Sequence, residues 1–418
     1  MLTDAEPFLQ RVRAFPDDDV PRLIFADWLE EQGAAGALRA AFIRVQLALA
    51  RLPPDDPQRP NLAAVEAALL DAHREEWEAP FRRLATGPVF RRGFVDEVNV
   101  TARQFLQHAH ELFAAGPIRR LHLLEVGSHL PVIMESSYLS RLASLSLFAL
   151  HAGDGVARVI ARASQLTGLR ELHLGRNRLG DDAVELLAAA SGLSCLEDLD
   201  LSENDIGETG ARTLAASRHL GQLKRLELRH NQIGPAGAEA IAASDRLASL
   251  QRLGLAGNSI GVPRLFSLPR VSSLLSVPSL DLTANGLSPA ALKAILTRPT
   301  GDNTPARLRE LDLSHNDLGE PGTRVLAQAA ALEDLKVLRL AGCGIPDEGL
   351  RLLALSPHLN RLVSIDVGNN PLSDQGFRAF HDTPFLRSLR RVVTPGIGVT
   401  PRMRQALDRR FHGGAIRC

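Results

Sequence analysis

Leucines recur at a fixed spacing over most of the chain. The clearest copy reads LEDLDLSENDIG from Leu196, and similar phrases start at Leu169, Leu223 and Leu250. Apolar and polar residues alternate within each phrase, which predicts a short strand whose leucines point to one face. An asparagine follows where the chain turns. The asparagines that share this register are Asn177, Asn204, Asn231, Asn258, Asn285, Asn316 and Asn370, with Cys343 in the same slot.

The slots are 27 residues apart (177 to 204, for example), except for a step of 31 between Asn285 and Asn316. Each strand is followed by a segment with helical spacing. After Asn177, for example, Asp181 or Asp182 can cap a helix whose buried stripe is predicted to be Ala183, Leu186, Leu187 and Ala190. One strand and one helix cannot bury a core alone, but stacked copies can. We therefore predict an α/β solenoid with a parallel sheet on its inner curve and helices outside.

The asparagine side chain has a physical task in such a stack. Its amide can bond backbone groups that the turn exposes and that burial would otherwise leave without partners. A cysteine can serve in the slot as a weak donor. Weaker copies of the repeat precede Leu169, with Leu150 and Val126 in the slot and an earlier strand near Val95. Their side chains cannot donate, which predicts a weaker ladder there.

The period and the strand-plus-helix unit resemble the ribonuclease-inhibitor class of leucine-rich repeats, from about Gly93 to Thr394. The resemblance implies a horseshoe with a concave sheet. We expect three parts: a small all-α domain at 1–86, an array of about eleven repeats at 87–394, and a capping segment at 395–418 with a helix after Thr400. Two irregular places interrupt the array: the loop Arg298–Pro305, and the stretch that contains Pro263 and Pro269.

Residues 1–86 lack the repeat and predict four helices. Thr3 and Glu6 form a potential capping box for the first, which carries Phe8, Leu9 and Val12 on one side. The second runs from a cap among Asp17–Asp19 to Gly33, and the fourth from about Leu62 to Trp77. The third places apolar residues at helical spacing, namely Leu38, Phe42, Val45, Leu49 and Leu52.

This segment resembles the bacterial repeat-companion domain, a module found ahead of repeat arrays. The residues that carry the resemblance are Pro21, Arg22, Leu23, Ala26, Asp27, Trp28, Leu29, Glu30, Glu31 and Gly33, then Phe42, Ile43, Arg44 and Gln46. Ala34 and Ala41 depart from it, since acidic residues are usual at both positions. The family has no established activity to carry over.

The amino-acid composition restricts the classes of partner that the protein is expected to bind. Lys+Arg and Asp+Glu are 48 each, so the net charge is zero, which argues against nucleic acid or an anionic membrane. Cys195, Cys343 and Cys418 lie too far apart in the sequence to suggest a disulfide framework or a zinc cluster. The acidic, amphipathic start does not read as a signal peptide, and a cytoplasmic, bacterial-type protein is the expectation.

We find no nucleophile, phosphate-loop or dinucleotide motif, and we expect neither an enzyme nor a cofactor or metal. The acidic run Asp17–Asp19 could bind a divalent cation, but a helix cap is the simpler interpretation. The pairs His108 with His110 and His73 with Trp77 lack a third ligand, so packing or surface roles are favoured. Asp27 and Arg44 are expected to pair between helices.

The sheet face away from the helices is the candidate binding surface. Its central column, between the second and third leucines, reads Asn99, His122, Ser146, His173, Asp200, Glu227, Gly254, Asp281, Asp312, Arg339 and Asp366. The predicted partner-binding residues are Asp198, Asp200, Glu227, Asp281, Asp312, Arg339, Asp366 and Phe148. An acidic stripe favours a basic or mixed-charge partner. The alternative is that these acids are ordinary solvated strand residues. Leu124 and Phe148 are apolar anchors, or else face the N-terminal domain.

Three functions remain open. The first is a protein–protein interaction scaffold that binds its partner on the concave face. The second is a regulator of an enzyme, because the array also resembles the repeats of Ran-type GTPase-activating proteins, an analogy at the level of fold alone. The third is a ligand or enzyme site within residues 1–86, whose mark would be a deep polar pocket around Asp27 and Arg44.

Overall fold

The computed structural model describes residues 2–53, 56–261, 271–297, 307–394 and 398–411. The loop Arg298–Pro305 and the stretch with Pro263 and Pro269 lie outside these ranges. The chain divides into two compact units. The first comprises residues 1–150 and 163–172, and the second comprises residues 151–162 and 173–418.

The first unit opens with the four predicted helices, α1 (Leu2–Ala14), α2 (Val20–Glu30), α3 (Ala34–Arg51) and α4 (Arg59–Glu78). Gly33 separates α2 from α3 with a φ of 95°, a backbone conformation that glycine adopts without strain. The capping box at Thr3 was a wrong prediction. Because α1 begins at Leu2, Thr3 lies within its first turn and does not precede it.

The third helix buries a wider surface than the predicted stripe. Ile43 and Leu47 pack into a cluster with Val12, Phe25 and Phe94. On another side of α3, the Phe42 ring lies 4.8 Å from that of Trp77 and 5.5 Å from that of Phe90, measured between centroids. Because partners cover two sides of α3, the buried residues do not follow one stripe. Leu38, predicted to be on it, is exposed, and Val45 and Leu49 are only half-buried.

A hairpin follows, formed by β1 (Thr86–Arg91) and β2 (Phe94–Thr101), which pair antiparallel. The sequence predicted only parallel pairing, so β1 is an addition to the expected sheet. Parallel pairing then begins between β2 and β3 (Arg120–Leu124) and continues to β4 (Ser144–Ser146). Helices α5 (Ala102–Ala115) and α6 (Leu130–Met134) lie between these strands in the chain. β5 (Glu171–His173) has its first two residues in this unit.

The second unit repeats one strand and one helix. Its helices are α7 (Gly155–Arg162), α8 (Asp181–Ala188), α9 (Glu208–Ala216), α10 (Gly234–Ala242), α11 (Pro289–Leu296), α12 (Gly319–Gln328), α13 (Asp347–Ala354), α14 (Asp374–Asp382) and α15 (Pro401–Arg410). Its strands are β6 (Asp198–Asp200), β7 (Arg225–Glu227), β8 (Arg252–Gly254), β9 (Ser279–Asp281), β10 (Glu310–Asp312), β11 (Val337–Arg339), β12 (Ser364–Asp366) and β13 (Arg391–Val393). Successive strands from β6 to β13 pair parallel and in register, which confirms the solenoid.

The leucines of each strand are buried as predicted: Leu196, Leu199 and Leu201 are at most 1% exposed. The helical stripe of the same repeat needs one correction. Ala183, Leu187 and Ala190 are buried as predicted. Leu186, however, is half-buried, and Val184 is fully buried in addition.

The asparagines form the predicted ladder. The Asn231 amide nitrogen donates to the carbonyls of Leu228 at 2.9 Å and of Leu201, in the preceding repeat, at 3.0 Å. Its Oδ1 accepts the N–H of Ile206 at 3.0 Å. The slot asparagines from Asn204 to Asn370 each donate both within their own turn and to a carbonyl of the repeat before, which ties neighbouring repeats together. Cys343 acts as the expected weak donor, with its Sγ 3.2 Å from the Leu313 carbonyl.

Two further ladders connect the helices. The sequence predicted that Asp181 could cap its own helix, but the N-cap of α8 is Gly180. The Asp181 carboxylate instead accepts the N–H of Gly207 in the next repeat at 2.7 Å. Hydroxyl groups link the C-terminal end of a helix to the preceding repeat. Ser217, which follows α9, donates to the carbonyl of Ala188 at the end of α8, at 2.7 Å. Both contacts pair backbone groups that helix ends leave without intrahelical partners.

Candidate functional site

The predicted central column is real in the second unit. Strand pairing places Asp200, Glu227, Gly254, Asp281, Asp312, Arg339 and Asp366 side by side in that order. Residues two apart on a strand share a face, so Asp198 lies on the same face as Asp200. The structure thus brings seven of the eight predicted residues onto one surface, which we call the strand face.

Phe148 is the exception. It belongs to the first unit and follows β4, which ends at Ser146, so it is not a residue of a strand. Its side chain is half-buried. Leu124, the other predicted apolar anchor, ends β3 and is 39% exposed.

Each acid of the central column has a local partner. The carboxylates of Asp200, Asp281, Asp312 and Asp366 accept the backbone N–H two residues later, at 2.8, 2.9, 3.0 and 2.9 Å. Glu227 accepts the N–H of Arg229 at 3.1 Å. Asp side chains commonly close turns in this way. These acids therefore shape the turn after each strand, a role that the sequence analysis missed and that the Asp-x-Ser and Asp-x-Thr spacing could have suggested.

Among the acids of the central column, Glu227 is the one whose charged form is disfavoured by its surroundings. Burial raises its pKa above the usual value, and the negative charges of Asp200 and Asp281 add to this effect. Its side chain extends over Gly254 on the next strand, where an added methyl group would collide with the carboxylate. Asp200 differs because, although burial works to raise its pKa, hydrogen bonds from His173 and Ser202 lower it.

Arginines flank the acids on the strand face. Arg225 pairs with Asp198 at 2.7 Å, and Arg252 approaches Glu310 at 3.6 Å. Their side chains remain 55% and 53% exposed. Arg339 lies 4.0 Å from Asp312. The face therefore carries a half-buried acidic centre with exposed cations at one side.

The N-terminal acids and histidines have structural partners. Asp17 bonds Arg119 at 2.5 Å, Asp18 accepts the N–H of Val20 at 2.9 Å, and Asp19 pairs with Arg51 at 2.9 Å. The acidic run is thus tied to arginines and to the start of α2. Among the described residues, no three His, Cys, Asp or Glu side chains form a group that could hold a metal ion.

The histidines follow the packing interpretation. His73 stacks on Trp77 with ring centroids 5.1 Å apart, and His110 lies 3.0 Å from the Tyr138 hydroxyl. His108 lies 3.4 Å from Glu111.

The predicted pair of Asp27 and Arg44 is present, with Nη2 of Arg44 2.7 Å from Oδ1 of Asp27. The same nitrogen lies 2.7 Å from Oε2 of Glu30. The hydrogen bonds that Arg44 donates to Glu30 and Asp27 raise the pKa of Arg44. The Asp27 side chain is 70% exposed, so the pair lies on the surface and not in the deep pocket that an N-terminal site would need.

None of the helices in the described ranges combines the length and apolarity of a membrane crossing.

Comparison with known proteins identifies the class of repeat. Residues 165–188, 192–215, 223–242, 307–327 and 332–354 match the family model described as Leucine Rich repeat. These matched segments are leucine-rich repeats. Such domains typically mediate protein–protein interaction, and ribonuclease-inhibitor-like proteins are typically binding scaffolds without catalytic activity.

Local similarity to particular proteins is limited to short segments. Over 72 residues the chain is 39% identical to the ribonuclease inhibitor of Sus scrofa, which covers 16% of each chain. Over 79 residues it is 39% identical to NACHT, LRR and PYD domains-containing protein 3 of Macaca mulatta, which covers 18% of this chain and 8% of the relative. The chain therefore matches only a small part of the length of these curated relatives.

Solved structures show similarity at low sequence identity. The yeast Rad7 and Elc1 complex contains a chain with a TM-score of 0.49 and 16% identity, over 90% of this chain and 92% of the other. A TLR13–ssRNA13 complex gives a TM-score of 0.37 and 15% identity, over 73% of this chain and 37% of the other. At these scores the similarity says nothing about function.

Proposed function

We propose that the protein is an interaction scaffold that binds a protein partner on the strand face of its leucine-rich repeats. The observation that carries this proposal is the register of the central column, which places Asp200, Glu227, Asp281, Asp312 and Asp366 on one face. The partner segment would be basic or of mixed charge. Its cations would approach the acidic centre, and its acids would meet Arg225 and Arg252.

The turn contacts of these acids are compatible with binding. In Asp281 and Asp312 one carboxylate oxygen accepts the backbone N–H, and both residues are half-buried and not covered. Binding would add a cation to acids that are already held in place, so little side-chain entropy would be lost. Fixed charges of this kind steer a partner and make the association sensitive to salt.

The N-terminal helices have a secondary place in the proposal. Their resemblance to the repeat-companion module suggests a cap or a second contact surface for residues 1–86. We also propose that the protein acts in the cytoplasm of a bacterium and that residues 395–418 cap the array.

The test neutralises the acids and preserves the turns. Asn and Gln keep an oxygen that can accept the backbone N–H, whereas a lysine side chain has no acceptor. The strand-face variant carries Glu227→Gln, Asp281→Asn and Asp312→Asn. A matched control neutralises one Glu and two Asp that are exposed away from the strands, namely Asp182, Glu185 and Asp245.

The three immobilised proteins are used for quantitative affinity capture from a lysate of the source cells. We expect a partner that binds the wild type and the control equally and binds the strand-face variant roughly tenfold more weakly, since exposed charge pairs contribute up to about 1 kcal/mol each. Its retention should fall as salt rises. A specific partner retained equally by all three proteins would contradict binding on the strand face.

A further inference from the structure

A cavity of about 330 Å³ in the first unit is lined by four arginines. It lies beside the end of α1, the segment before β3, and the residues that precede β4 and β5. Arg13, Arg119, Arg141 and Arg170 contribute to its wall, together with Phe113. Nothing in the strand-face proposal depends on this cavity.

Two of the four arginines have carboxylate partners. Arg13 donates to Glu6 at 2.6 Å and to the carbonyls of Leu9 and Ala114 at 3.1 and 2.9 Å, so each of its three guanidinium nitrogens already has a partner within the protein. Arg119 donates through Nη1 to Asp17. Its Nε, however, is buried and has no hydrogen-bond partner. A buried donor left in this state is costly, and it marks a place where an acceptor would be favourable.

The other two arginines have no ion-pair partner within the described ranges. Arg141 lies over the rings of Phe113 and Tyr138, at 6.0 and 5.4 Å from their centroids. Stacking uses the face of the guanidinium and leaves its N–H edge available for an anion. Arg170 is exposed, and its charge is one of those that lower the pKa of Asp17 against the effect of burial.

The charges define the ligand. Four guanidinium groups line the cavity, and two of them are neutralised by Glu6 and Asp17, which leaves two positive charges. A dianion matches this excess, and a monocarboxylate does not. Guanidinium groups donate paired N–H bonds that fit the oxygens of phosphate, and several arginines around one anion are typical of phosphate recognition.

We propose that this cavity binds a phosphate monoester, with Arg119, Arg141 and Arg170 donating to its oxygens. Arg119 would use its buried Nε while its Nη1 stays on Asp17, and Arg13 would supply charge without a direct contact. A small phosphate ester and a phosphorylated side chain both present this dianionic group, and the experiment below distinguishes them.

The test is isothermal titration calorimetry of the full chain at low ionic strength and pH 7.5. Phenyl phosphate should bind at one saturable site, and benzoate, with one negative charge, at least tenfold more weakly. Arg170→Glu, a change at an exposed residue, should weaken phenyl phosphate at least tenfold, as should Arg141→Ala. The matched control is Arg103→Glu, at an exposed arginine of α5 outside the cavity, which should bind like the wild type.

Circular dichroism confirms that each variant is folded before titration. The absence of saturable binding by the wild type would overturn the proposal. So would an Arg170→Glu variant that binds normally, or an Arg103→Glu variant that is weakened equally. A phosphoserine peptide that binds at least tenfold tighter than phenyl phosphate would support a modified protein as the source of the phosphate. Equal affinity would support a small ester.

Discussion

Replacement of Asn231 by Ala tests the ladder that joins the repeats. The change removes one acceptor and one donor group from the interior. The carbonyls of Leu201 and Leu228 would each keep a second partner, because Asn204 and Asn258 also donate to them at 2.9 Å. The N–H of Ile206 would lose the Asn231 oxygen and have no replacement in the described structure. One unsatisfied buried N–H costs about 1–3 kcal/mol of unfolding free energy.

The same reasoning predicts a difference between slots. The Asn316 oxygen accepts two N–H groups, from Asn285 at 3.0 Å and from Leu287 at 2.9 Å. The Leu282 carbonyl would also lose the bond that Asn316 donates to it, at 3.0 Å. Asn316→Ala should therefore cost at least about twice as much as Asn231→Ala. Asn360→Ala is the control, because Asn360 is exposed and bonds only the nearby Pro357 carbonyl.

Urea unfolding followed by circular dichroism measures the three losses, and hydrogen exchange with mass spectrometry localises the Asn231→Ala effect to the peptide that contains Ile206. We expect the order Asn316→Ala, Asn231→Ala, Asn360→Ala from largest to smallest. If Asn231→Ala unfolds at the same urea concentration as Asn360→Ala, the ladder does not stabilise that slot and the reasoning is wrong.

Three further predictions concern single residues of the second unit. Leu228→Ala should lower the unfolding free energy by about 2–5 kcal/mol in urea titrations, because the side chain is fully buried; a loss under 1 kcal/mol would contradict the packing described. Glu227→Gln should stabilise the protein at pH 7.5. The pKa of Glu227 is higher in the folded protein than in the unfolded chain, so folding disfavours its charged form. This penalty is absent below the unfolded pKa, grows as the pH rises above it, and is complete above the folded pKa. Thermal melts should therefore show a gain at pH 7.5 that vanishes near pH 4, and a gain independent of pH would refute this origin. In the native protein a thiol reagent should label the exposed Cys195 and not the buried Cys343, where burial raises the pKa of the thiol to about 11. Mass spectrometry of the labelled peptides measures this difference. Equal labelling of the two cysteines would contradict the burial of Cys343.

The repeat was predictable because its signal combines spacing with residue type. A strand three residues long is too short to identify alone, but the same phrase at a constant interval fixes the register of the whole array. The central column followed from this register. The wider buried surface of α3 could not be predicted in this way. It depends on contacts of Phe42 with Trp77 in α4 and Phe90 in β1, which are distant from Phe42 in the sequence.

Contacts between repeats were the other feature that the sequence concealed. Asp181 looked like a cap for its own helix, and only the stacking distance shows that Gly207 in the next repeat is its partner. The residue before each slot also adopts a left-handed backbone, as in His230 with φ 53° and Ala284 with φ 52°. Glycine, which would reveal such a position, occupies it at Gly257 and Gly342, but other residue types fill it elsewhere.

We propose the strand face of the repeats as the surface that a protein partner binds. Carboxylate footprinting of the complex with a captured partner tests it most directly, because labelling by a carbodiimide and amine reports the accessibility of each acid separately. If the partner binds the strand face, Asp281 and Asp312 should lose labelling in the complex, while Asp182 and Glu185 on α8 should not change. Protection of the α8 acids with unchanged labelling of Asp281 and Asp312 would contradict it.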